Sequence, residues 1–121
     1  MAWLTTKAGA ALTMLAILSV AAPAAAESTI DAVKKRGTLV CGVNGELPGF
    51  SQLSVREEWV GLDVDLCRAV AAAVLGDATR VKFVPLTAKQ RFDALESGDI
   101  DVLARNSTVT LQRDSGRKVS Y

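Results

Sequence analysis

Apolar and polar positions fall in blocks along this chain, and the period changes from block to block. One lysine, Lys7, precedes an uncharged, mainly apolar run from Ala8 to Ala22, and Ala24-Ala25-Ala26 leads into the first carboxylate, Glu27. A short basic leader, an apolar segment and a small-residue boundary predict a secretory signal peptide over residues 1–26, cleaved after Ala26. A membrane anchor is the weaker alternative, because the run is short for a bilayer span and alanine dominates it.

Beyond Glu27 the pattern predicts alternating helices and strands. Ser28 or Thr29 caps a short amphipathic helix, Ile30 to Arg36, and Gly37 supplies its left-handed stop. Thr38 to Val43 is β-branched and apolar, a first core strand. Asn44 to Val60 has no period and holds Gly45, Pro48 and Gly49, which predicts a long loop with a hairpin around Arg56, Glu57 and Glu58. Loops of that length in compact domains usually carry function. Asp63 to Leu75 is the clearest helix, with Val64, Cys67, Ala71 and Val74 on one stripe, Asp63 as its cap and Gly76 as its end. Arg80 to Pro85 is a second strand. Thr87-Ala88-Lys89-Gln90 is a capping box opening a helix that turns Phe92 and Leu95 inward and stops at Gly98. Ile100 to Leu103 is the third strand.

This order predicts an α/β fold, a parallel βαβαβ sheet with right-handed crossovers and helices on its faces. Ligands of such sheets bind beyond the carboxyl ends of the strands. Two polar segments meet that condition, Asn44 to Phe50 and Arg105 to Arg113.

Charge and cysteine content narrow the function. The chain has 14 basic and 13 acidic residues, and Lys7 is the one charge ahead of Glu27, so the remainder is balanced. Balance argues against nucleic acid as a partner. Export would deliver Cys41 and Cys67 to an oxidising compartment. Leu39, Cys41 and Val43 share one strand face and Cys67 lies on the apolar helix stripe, so both sulfurs point into the same layer and a disulfide is expected. Two buried free thiols are the alternative.

With no histidine in the chain, histidine-bound zinc or haem and a Ser-His-Asp triad are set aside, and a catalytic cysteine lacks its base. No cofactor is expected. Asp63 and Asp65 suit the positive end of a helix better than a metal, since no calcium-type loop surrounds them. Gly42, Gly45 and Gly49 lack dinucleotide-site spacing. Phe50 is either a core aromatic or a pocket wall. Asn106, Ser107, Thr108 and Thr110 crowd the exit of the third strand, with Arg113 one turn on. Hydroxyls, backbone amides and a guanidinium there offer directed donors for a carboxylate. Capping and turn formation by the hydroxyls, with a solvated arginine, is the competing reading.

Several segments together resemble one family: Leu39-Val40-Cys41-Gly42-Val43-Asn44, Leu47-Pro48-Gly49-Phe50-Ser51, Gly61-Leu62-Asp63-Val64-Asp65, Val81-Lys82-Phe83-Val84-Pro85, and Asp101-Val102-Leu103 through Arg113. They are similar to the amino-terminal lobe of periplasmic polar and general amino-acid-binding proteins, the family 3 solute receptors of ABC transporters. The resemblance runs from about Thr29 to Asp114. It implies a lobe of the type II periplasmic binding fold over residues 27–114, a monomer, an L-amino-acid ligand and a membrane permease as partner. It implies that Arg113, Asn106 and Thr108 hold the ligand's α-carboxylate and that Phe50 lines the side-chain pocket. The family's second lobe, which supplies the acid for the α-ammonium, is absent from this sequence, and residues 115–121 depart from the family pattern. The expectation is therefore an amino-terminal fragment with weak or no binding and an open sheet edge beyond the third strand. A cyclohexadienyl dehydratase on the same scaffold, or a product without a role, are the alternatives.

Overall fold

The computed structural model describes residues 27–116 and 121. The expected signal peptide and residues 117–120 of the tail lie outside the described residues.

The first helix, α1 (Thr29–Arg36), starts as its sequence dictates: the Ser28 hydroxyl accepts the Asp31 N–H at 3.2 Å. Gly37 closes it in the left-handed region at φ 75°. The next element, β1 (Leu39–Val43), is the central strand of a parallel sheet whose order is β5-β1-β6, with β5 at Val81–Pro85 and β6 at Val102–Leu103. Cys41 pairs with Phe83 on one side and with Val102 on the other. The helix α2 (Leu62–Leu75) links β1 to β5, and α3 (Arg91–Ser97) links β5 to β6. The βαβαβ expectation holds, with α1 and α2 packed against each other and α2 packed on β1 and β5.

The two faces of β1 are filled differently. Leu39, Cys41 and Val43 are fully or almost fully buried on the face toward α2. The other face is closed at Gly42, where an added Cβ would sit 2.6 Å from Ile100 Cδ1 and 2.8 Å from Leu86 Cδ1. Cys41 and Cys67 are disulfide-bonded, with Cα atoms 6.2 Å apart. The bond lies in a core of Val43 and Ala104 flanked by Trp59 and Phe83, so the free-thiol alternative is not realised.

Four expectations need correcting. The segment from Asn44 to Val60 is a small antiparallel sheet rather than an irregular loop: β2 (Glu46–Leu47), β3 (Ser51–Leu53) and β4 (Trp59–Val60) pair in the order β2-β3-β4. Its tight turn is where the hairpin was expected, with the Ser54 hydroxyl accepting the Arg56 and Glu58 N–H groups. Second, Asp63 does not cap α2. Gly61 holds the cap position at φ 123° without a side-chain bond, and the loop carbonyls of Gly49 and Phe50 accept the Leu62 and Asp63 N–H groups at 3.0 and 2.9 Å. A Cβ on Gly61 would lie 2.3 Å from the Phe50 carbonyl oxygen, so only glycine permits this approach. Third, the capping box between Thr87 and Gln90 forms in both directions, but regular helix begins later, at Arg91.

The third strand is also shorter than expected. Asp101 bonds to Val40 with both backbone and side chain, its N–H donating to the Val40 carbonyl at 2.8 Å and its carboxylate accepting the Val40 N–H at 2.7 Å, and it pairs with Arg36. Beyond β6 a short helix, α4 (Leu111–Gly116), completes the described chain. Among the described residues, β6 pairs with β1 alone.

Candidate functional site

Parallel strands that end together leave their last carbonyls and the following turns around one hollow. Here a groove of about 460 Å³ opens at that end, floored by Asn44 and Gly45 after β1, by Leu86 and Thr87 after β5, and by Arg105 after β6. Leu53 and Trp59 of the small sheet form its side wall. The wall is held in place from both ends. The buried Ser51 hydroxyl accepts the Asn44 and Gly45 N–H groups, and Trp59 packs on the Phe83 ring with centroids 5.6 Å apart.

Arg105 reaches across the floor and donates to the Leu86 carbonyl, tying the β6 exit to the β5 exit. Its Nε is buried with no partner. Burial pulls this guanidinium below its ordinary value, Arg91 adds repulsion, and Asp63 partly offsets both. The group remains a cation at any physiological pH. Arg105 also lines a second cavity of about 390 Å³ behind the groove, with Phe92, Leu103 and Ser107 among its other walls.

Two further guanidiniums bond to the chain that follows β6, and neither lines the groove. Arg91, only 9% exposed, donates to the Asn106 carbonyl at 3.1 Å and lies 5.0 Å from the centroid of the Phe92 ring. The Arg113 guanidinium lies 5.2 Å from that ring centroid and donates to the Thr108 carbonyl at 2.7 Å. None of the three makes an ion pair among the described residues, where the pairs formed are those of Lys35, Arg36, Arg68 and Arg80. The buried polar atoms left without partners in the described chain, Asp63 Oδ2, Arg91 Nε, Arg105 Nε and Ser107 Oγ, come from these arginines and the residues beside Arg105 in charge or cavity.

The two acids in the first turn of α2 separate. Asp65 pairs with Arg68 at 3.2 Å, while Asp63 faces Arg105. Burial raises the Asp63 pKa and the Arg105 charge lowers it by less, so the net shift is upward. A carboxyl raised on folding favours the folded state most at pH below its unfolded pKa, and loses that contribution as pH rises through its folded value. Asp63→Asn is therefore expected to flatten the pH dependence of stability in the acidic range and to raise the melting temperature more at pH 7 than at pH 3. Melting curves across that range check this, and an unchanged profile would count against the assignment.

The residues singled out from sequence are brought together in part. Asn106 Oδ1 accepts from the Asn44 amide at 3.4 Å, bridging two strand exits. Thr108 and Arg113 are joined through the Thr108 carbonyl. Thr110 acts as a cap, its hydroxyl accepting the Arg113 N–H at 3.2 Å. Phe50 stands apart: it is 43% exposed in the turn between β2 and β3, engaged with α2 through its carbonyl, and is not part of the groove wall. Sequence reasoning missed Arg91, Trp59 and the Leu86-Thr87 exit, and took Arg105 as the start of a polar segment without giving it a role. The same strand-end rule applied to the second strand would have found that exit.

A family model described as bacterial extracellular solute-binding proteins, family 3, matches residues 39–120. The general L-amino acid-binding periplasmic protein AapJ of Rhizobium johnstonii is 52% identical over 111 residues, 88% of this chain and 33% of that protein. The glutamate/glutamine/aspartate/asparagine-binding protein BztA of Rhodobacter capsulatus is 52% identical over 84% of this chain and 30% of its own length. The chain thus spans about a third of the length of these curated relatives. Among solved structures, a periplasmic binding protein of an ABC transporter from Brucella ovis, with glutathione bound, superposes with a TM-score of 0.69 at 56% identity, covering 72% of this chain and 27% of that one. The arginine-bound form of domain 1 from TmArgBP superposes with a TM-score of 0.62 at 32% identity, covering 70% of this chain and 65% of that one.

Proposed function

The chain belongs to the bacterial extracellular solute-binding proteins of family 3, and we propose that residues 27–114 form the amino-terminal lobe of the amino-acid-binding component of an ABC importer. In this reading residues 1–26 direct export to the periplasm, and the whole protein works as a monomer delivering an L-amino acid to a membrane permease. The observation that carries the reading is a set of three guanidiniums, Arg91, Arg105 and Arg113, that bond to carbonyls at and after the strand exits and make no ion pair among the described residues.

The chemistry follows from those groups. Arg113 exchanges the Thr108 carbonyl for the ligand's α-carboxylate, a stronger acceptor because it is charged. Thr108 and Asn106 add donors from the β6 exit. Stacking on Phe92 holds the Arg113 fork in place before the ligand arrives, which reduces the ordering cost of binding. Residues 27–114 by themselves are expected to bind weakly or not at all, and a single domain of a solved neighbour is arginine-bound in its structure.

Titration of the exported chain with L-amino acids, followed by NMR shifts, tests this. Saturable shifts are expected at millimolar ligand, and Arg113→Gln weakens them about 10- to 100-fold, the worth of one charge-assisted contact. Absence of saturation, or an Arg113→Gln titration superimposable on the parent, would overturn the reading. The dehydratase alternative predicts turnover of prephenate or arogenate, and none is expected.

A further inference from the structure

We propose that Arg91 is a positioning residue for the α-carboxylate contact: without touching the ligand, it sets where the chain after β6 presents Thr108 and Arg113. This rests on the reading that Arg113 takes that carboxylate. A guanidinium is costly to bury, and a carboxylate partner ordinarily offsets the cost. Arg91 is 9% exposed, forms no ion pair among the described residues, and leaves its Nε without a partner. It also repels Arg105. A buried cation that destabilises its own surroundings in these ways marks a position where function overrides packing.

What Arg91 holds is the segment that carries the candidate site. Arg91 opens α3, and its Nη1 donates at 3.1 Å to the carbonyl of Asn106, on the stretch that leads to Thr108 and Arg113. The Asn106 side chain accepts from the Asn44 amide, and the Asn44 N–H donates to the buried Ser51 hydroxyl at 3.1 Å. One line of hydrogen bonds thus runs from α3 through the exits of β6 and β1 to the small sheet. A second tie passes through the Phe92 ring, whose centroid lies 5.0 Å from the Arg91 Cζ and 5.2 Å from the Arg113 Cζ, both within cation–π range. Phe92 is itself buried, so the ring is a fixed platform for both cations. By contrast α4, which carries Arg113, buries none of its residues. Polar and ring contacts therefore fix the Arg113 fork where core packing does not, and that pre-ordering lowers the cost of binding.

The test is Arg91→Met, which keeps an apolar stem and removes the charge and the fork, read by NMR titration of the exported chain with L-glutamine and by thermal unfolding. Affinity is expected to fall about 5- to 10-fold, part of the worth of one charge-assisted contact. The melting temperature holds or rises, because a buried unpaired cation has been removed. In an Arg113→Gln background the same change adds less than about twofold, since the group it positions is already gone. Arg91→Lys restores a charged donor without the planar fork and recovers the affinity to within about threefold of the parent. If Arg91→Met does not fold, Arg91→Lys is read alone, and a loss of about threefold at an unchanged melting temperature supports the proposal. Parent affinity in the variant that is read would overturn it. So would a full further loss in the Arg113→Gln background, or a loss of affinity matched by a fall in melting temperature, either of which marks a residue that serves the fold alone. All three results leave the Arg113 reading standing, whereas absence of saturable binding by the parent chain would remove both.

Discussion

Reducing the Cys41–Cys67 bond, or replacing both cysteines by alanine, is expected to lower the melting temperature by about 10 to 20 °C, from a loss near 3 kcal/mol in a domain of this size. The bond joins residues separated by 26 positions and ties the central strand β1 to α2 at the centre of the core. In the denatured chain it removes the entropy of closing that loop, and in the folded chain both sulfurs are fully buried. A lobe of about 90 described residues buries a small fraction of its surface relative to larger domains, so one cross-link is a large part of its net stability. Thermal unfolding with and without reductant measures this directly. Curves that coincide would show that the packing of Val43, Ala104 and Phe83 holds the layers together unaided.

Asp101→Ala is the second large effect, with an expected loss of about 2 to 4 kcal/mol. The carboxylate is 7% exposed, accepts the Val40 N–H at 2.7 Å, and pairs with Arg36 from α1. Removing it strands a backbone donor on the central strand and a half-buried guanidinium together. Asp101→Asn keeps an acceptor for Val40 and is expected to cost less. Arg36→Ala costs least, because Arg36 is 42% exposed and solvent screens its share. Urea unfolding of the three variants tests the order, and a cost for Arg36→Ala equal to that of Asp101→Ala would place the effect in the ion pair rather than the backbone bond.

The parts of the fold legible in the sequence are those fixed by local chemistry. Glycines at 37, 76 and 98 end helices in the left-handed region as their positions after apolar stripes suggested. The β-branched run at 39–43 became the buried central strand, and the Thr87–Gln90 box formed its reciprocal bonds. The small sheet was not legible, because strands of two or three residues have no measurable period. Its position depends on distant partners, the Ser51 hydroxyl on the Asn44 and Gly45 amides and the Phe50 carbonyl on α2.

Part of the candidate site's membership was legible in the sequence. Arg113 and the polar β6 exit stood out because hydroxyls, amides and a guanidinium were adjacent in sequence. Arg91 sits on a helix behind a capping box, a place where an arginine ordinarily faces water, and its burial comes from the Asn106 carbonyl 15 residues later. Arg105 looks like the polar end of a short strand until its bond to Leu86 joins two strand exits. Asp63 has the spacing of a helix cap, and loses that role because Gly49 and Phe50 carbonyls already occupy the helix start.

The central claim is that this end of the sheet recognises an α-carboxylate through Arg113. The most direct measurement is an NMR titration of the chain with L-glutamine and with the same amino acid amidated at its α-carboxyl. The account predicts saturable shifts at Arg113, Thr108 and Asn106 with the free acid and their loss with the amide. Equal binding of the two ligands would contradict it.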